Sequence, residues 1–127
     1  MKMSAVFFLL ALAGGSLWAS GASMKNDLIT PEKAKMLLDT DKTVVLLDVR
    51  TPEEFSTGHI RGALLLPYDG ISATTAAQAI PTKNTPVIVY CRSGRRSAIA
   101  AKTLMDLGYR QVLDLGGVNT WPYGLVR

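Results

Sequence analysis

Apolar and polar positions fall into two kinds of stretch along this chain. Apolar runs without strict alternation occupy 43–49, 63–66 and 86–90, and a shorter one centres on Val112 and Leu113. Strands covered on both faces read this way, because neither face meets water. Between these runs apolar residues recur at helical spacing. Ala34, Leu37 and Leu38 mark one helix, opened by Thr30 as N-cap, Pro31 at the first helical position and Glu32 in the first turn. Thr51 and Glu54 have capping-box spacing with Pro52 between them, and predict a short second helix stopped by Gly58. Residues 69–80 predict a modest third helix with Ile71, Ala76, Ala77 and Ile80 on its apolar face. Residues 97–107 predict a fourth, with Ala98, Ala101, Leu104 and Met105, ended by Gly108. What remains is a polar linker at 23–27, a turn at Gly116-Gly117 and a short irregular segment at 118–125.

Strands alternating with helices predict an α/β fold: a mainly parallel sheet with helices on both faces and right-handed crossovers. Ligands of such sheets bind beyond the carboxyl ends of the strands. The run at 86–90 ends at such a position, and Cys91 follows it.

The first residues carry a different pattern. Lys2 precedes an apolar stretch at 5–13, and small residues come next, which is the layout of a secretory signal peptide cleaved after Ala22 or after Ala19. A retained anchor is the rival. The apolar run is short for a span, and Gly14, Gly15, Ser16, Ser20 and Gly21 dilute the remainder of the segment. The expected organisation is therefore a signal peptide at 1–22 and one domain at 23–127, periplasmic or secreted, without membrane attachment after cleavage.

Composition adds exclusions. With 127 residues, 48% hydrophobic and 19% charged, the chain has room for one folded domain. Its formal charge is +4, and removal of Lys2 leaves 13 basic residues against 10 acidic ones. That excess is mild and forms no basic stripe interleaved with aromatics, so nucleic acid is not an expected partner. One histidine and one cysteine are too few for the usual metal-ligand spacings, so no metal is expected.

Cys91 is the only cysteine. An exported domain usually pairs its cysteines, and a lone one is either a small core residue or present for its reactivity. The setting favours reactivity. The segment Cys91, Arg92, Ser93, Gly94, Arg95, Arg96, Ser97 joins a strand to a helix N-terminus through a tight glycine-containing loop. Backbone N–H groups converge there, the helix dipole adds partial positive charge, and a thiol so placed is held as thiolate. Gly94 permits the backbone turn, and Ser97 is expected to cap the next helix. Arg92 and Arg95 read either as attractors of a dianion or as solvated surface residues, and Arg96 as a residue packed on the loop.

Four stretches resemble the rhodanese family of sulfurtransferases: 47–55, which begins Leu47, Asp48, Val49, Arg50; 58–63, which includes Gly58, His59, Ile60 and Arg61; the Cys91 loop; and 108–121, through Gly116 and Gly117 to Trp121. They span most of 28–121 in the family's order. The likeness is greatest to the small periplasmic single-domain branch. It implies a mostly parallel five-stranded sheet, a cysteine that carries sulfur as a persulfide with no other cofactor, and mainly structural roles for Asp48, Arg50 and His59 near the strand end. The implied chemistry is double displacement by a soft thiolate on an anionic donor such as thiosulfate, with a thiophilic acceptor such as cyanide or a thiol. The protein is expected to act as a monomer. Cysteine phosphatases share the fold but place an arginine six positions after the cysteine, where this chain has Ser97. A sulfur carrier or redox partner that turns over poorly alone is the remaining alternative.

Overall fold

The computed structural model describes residues 27–127. The expected signal peptide and most of the expected linker lie outside the described residues. Five strands form one sheet: β1 (Asp27–Leu28), β2 (Val45–Asp48), β3 (Leu64–Leu65), β4 (Val87–Cys91) and β5 (Val112–Gly117). Their order is β1-β5-β4-β2-β3, and every pairing is parallel. The helices are α1 (Pro31–Thr40), α2 (Pro52–Thr57), α3 (Ala73–Ala79) and α4 (Arg95–Asp106), with 3-10 turns at Tyr68–Gly70 and Val118–Thr120.

Alternate residues of the central strands feed two cores. Leu46, Ile88 and Tyr90 pack with Ala34 of α1, and Leu115, Ile60 and Trp121 complete that layer. Leu47, Val49, Val87, Val89 and Cys91 pack on the other face with Ala76 of α3 and Ala100, Ala101 and Leu104 of α4. Burial on both faces is why β2 and β4 read as unbroken apolar runs. β4 is buried along its whole length and lies at the centre of the sheet, so the loop after it rests on the most constrained part of the fold.

The helix starts follow the sequence closely. The Thr30 hydroxyl accepts the Lys33 N–H, and Thr51 and Glu54 form a complete capping box with Pro52 at the first position. Elsewhere the structure corrects the sequence. Asp27, placed in the linker, belongs to β1, whose two residues are too few to carry a pattern. The run at 63–66, expected to be buried, is an edge strand with Leu64 48% exposed. The single helix expected at 69–80 is a 3-10 turn followed by α3, because Ser72 and Thr75 form a second capping box that restarts the helix. Gly116 and Gly117 are not a free turn but the end of β5, where a bulge between Val89 and Tyr90 sets Gly117 opposite Cys91.

A buried ion pair closes the carboxyl end of β2. Arg50 Nε lies 2.9 Å from Asp48 Oδ1, and Nη2 lies 2.7 Å from Oδ2 and 2.7 Å from the Gly58 carbonyl. Burial works against the Arg50 charge, and the Asp48 carboxylate outweighs it, so the guanidinium is held above its ordinary pKa. Tyr90, paired with Asp48 across the strands, accepts the Ile60 N–H at 3.0 Å. Burial pushes its phenol up, out of reach of physiological pH.

Candidate active site

Cys91 is the last residue of β4 rather than the first of the loop, and it is 1% exposed. The chain then turns at Gly94, whose φ of +118° lies in the left-handed region that glycine enters freely. This turn aims the Gly94 N–H at the Cys91 sulfur, 3.0 Å away. α4 begins at the next residue, Arg95, two residues earlier than the apolar pattern indicated.

That early start changes the role of Ser97. The N-cap is Gly94, so Ser97 lies inside the first turn of α4 and is fully buried; it does not cap the helix. Its hydroxyl lies 3.1 Å from the Gly94 carbonyl and also serves the Cys91 sulfur. A hydroxyl rotates, and its one proton goes to the stronger acceptor, which is the sulfur once that atom is charged. Burial pushes the Cys91 thiol up. The Ser97 hydroxyl and the N–H groups of Ser97, Gly94 and Ser93 more than offset this, and the thiol is held below its ordinary value.

The floor of the loop is glycine. A Cβ on Gly117 would lie 2.5 Å from the Arg92 carbonyl oxygen and 2.8 Å from the Ser93 Cα. Gly117 has an ordinary φ of −98°, so the requirement there is space and not conformation. Asn119 adds a backbone N–H to the Arg92 carbonyl at 3.3 Å.

The three arginines separate. Arg92 and Arg95 are exposed, and neither has a side-chain partner among the described residues. Arg96 is half-buried and held by Glu54 in a two-pronged pair, Nη1 to Oε1 at 2.8 Å and Nη2 to Oε2 at 3.0 Å. The Arg96 guanidinium and the Thr51 N–H and hydroxyl hold the Glu54 carboxyl down at about 2, against some burial. Nothing in the sequence pattern announced this second task for Glu54, because the partners are 42 residues apart.

His59 is tied elsewhere. Its ring stacks on Phe55 at 3.7 Å, Nδ1 lies 3.0 Å from the Phe55 carbonyl, and its backbone forms a bridge with Val126. Asp48 and Arg50 are occupied with each other. All three secure the segment between β2 and β3. No group of three metal-ligating side chains assembles among the described residues. No helix of the described residues is long and apolar enough to cross a membrane.

A recessed thiol at a strand end, ringed by amide donors on a parallel α/β sheet, defines a class of cysteine-loop protein. Residues 30–122 match the rhodanese-like domain, and the chain belongs to the rhodanese family. It is 41% identical over 99 residues to a sulfurtransferase of Allochromatium vinosum, covering 77% of this chain and 89% of that one. It is 39% identical over 73 residues to the thiosulfate sulfurtransferase PspE of Escherichia coli, covering 58% and 69%. Among solved structures, a rhodanese with anions from E. coli superposes with a TM-score of 0.62 at 34% identity, covering 66% of this chain and 98% of that one. A sulfurtransferase of this kind works between a sulfur donor and a sulfur acceptor.

Proposed function

We propose that this protein is a thiosulfate sulfurtransferase acting through a Cys91 persulfide. The observation that carries the proposal is the ring of donors on the sulfur: the Gly94 N–H at 3.0 Å, the Ser97 hydroxyl, and the N–H groups of Ser93 and Ser97. Such a ring favours the thiolate over the thiol, and after transfer it stabilises the persulfide anion. The Cys91 thiolate attacks the outer sulfur of thiosulfate. A new S–S bond forms, the donor's S–S bond breaks, and sulfite leaves with the electron pair. Cyanide or an acceptor thiolate then attacks the outer sulfur of the persulfide, taking it and returning the Cys91 thiolate. Charge balances in each step, and no redox cofactor or metal takes part.

Arg92 and Arg95 supply positive charge at the loop for the donor dianion. The recessed sulfur suits a small donor. The sulfurtransferase names of the relatives support the reaction class. The apolar stretch at 5–13 with its small-residue flank supports export to the periplasm, and the protein is proposed to work there as a monomer.

The test is mass spectrometry of the purified protein after thiosulfate treatment. One added sulfur atom, lost on adding cyanide with release of thiocyanate, is the expected result. Turnover that persists in Cys91→Ser overturns the mechanism. A persulfide that forms but is never released to cyanide or small thiols assigns the protein to the carrier class instead.

A further inference from the structure

The loop arginines differ in what surrounds them, and Glu54 is the cause. Its carboxylate is fixed at both ends of its reach. On its own helix, Oε1 accepts the Thr51 N–H and hydroxyl, each at 3.1 Å. Across the site both oxygens grip the Arg96 fork. Arg96 lies in sequence between Gly94 and Ser97, which contribute donors to the Cys91 sulfur. A side chain anchored at this position restrains the peptide units on either side of it.

We propose that Glu54 is a positioning residue for the Cys91 cradle: by fixing the Arg96 fork it holds residues 94–97 against the sulfur and withdraws Arg96 from donor recognition, leaving that task to Arg92 and Arg95. The second half rests on the sulfurtransferase reading, whereas the first concerns the acidity of the sulfur alone. The groups that bear on the sulfur are Arg96 and Ser97 of α4 and the loop amides. Tyr68, from its 3-10 turn, faces Arg96, and Arg50, after β2, faces Glu54.

The pH dependence of Cys91 alkylation by iodoacetamide tests the first half without any turnover. Glu54→Gln removes a negative charge, and by charge alone the thiol would become more acidic. If Glu54 acts by position, the cradle loosens, hydrogen bonds to the sulfur are lost, and the thiol pKa rises by about half a unit to one unit. An unchanged or lowered pKa in the folded variant overturns the proposal. Glu54→Asp keeps the charge and shortens the reach, and a rise of the same sign is expected there too. Steady-state kinetics test the second half. Arg92→Ala and Arg95→Ala are expected to raise the thiosulfate KM about tenfold without moving the thiol pKa, whereas Glu54→Gln does not raise it. An Arg96→Ala variant whose KM rises more than theirs overturns the division of roles. Should the wild-type protein accept no sulfur from thiosulfate, the functional reading fails while the alkylation result still decides the role of Glu54.

Discussion

Burial alone makes a thiol a poorer acid, because the thiolate loses its water. At Cys91 the donors win that contest, and Ser97 is the one that mutation can remove without touching the backbone. Ser97→Ala is expected to raise the thiol pKa by about one unit and to shift the alkaline limb of the alkylation rate to higher pH by the same amount. An unshifted limb would assign the acidity to the amides alone. The nucleophile and its loop were legible in the sequence because the whole arrangement is local: a strand, a glycine and a helix start within seven residues. The role of Ser97 was not. A serine near a helix start reads as a cap, and only the left-handed turn at Gly94 moves the start far enough forward to place that hydroxyl under the sulfur.

Two elements far apart in the chain meet in the Glu54–Arg96 pair, which ties α2 to α4. Its carboxylate is depressed from 4.5 to about 2, chiefly by Arg96. A depressed carboxylate contributes stability that is fully present above the unfolded pKa and fades as pH falls through the folded one. The contribution is therefore complete above about pH 4.5 and lost progressively down to about pH 2, on the order of 2 kcal/mol after allowance for partial exposure. Urea unfolding of wild type and Glu54→Gln at pH 7 and at pH 3 checks this: the difference between them should shrink at the lower pH. The capping box that starts α2 was legible from Thr51, Pro52 and Glu54, but a fixed spacing along one helix carries no trace of a partner on another. Gly117 presents the same problem. Paired glycines after a strand suggest a turn, whereas here the missing side chain makes room for the Cys91 loop. Gly117→Ala is expected to cost about 1–3 kcal/mol and to reduce sulfur transfer through displacement of Arg92 and Ser93. Thermal unfolding together with thiocyanate release measures both effects.

Across the molecule, the alternation of apolar runs and helical patterns was enough to foretell a parallel sheet layered between helices. The borders of that sheet were not. β1 has two residues, and β3 is as apolar as an interior strand, so neither its place at the edge nor the exposure of Leu64 can be read from composition. Asp48 and Arg50 show how the centre is closed. With Asp48 0% and Arg50 5% exposed, removal of one partner leaves a buried charge unpaired. Asp48→Asn is expected to destabilise the fold by about 3 kcal/mol, seen as a lower urea midpoint with unchanged slope.

The burial of Cys91 would give the two states of the proposed cycle different outlines. An S–S bond is about 2 Å long, so the outer sulfur of the proposed persulfide would occupy a position up to that far from the Cys91 sulfur. Empty, the protein offers bulky electrophiles almost nothing to strike, whereas in the proposed loaded state the reactive atom is the outer sulfur and no longer the buried one. In that cycle shape alone would favour delivery over damage.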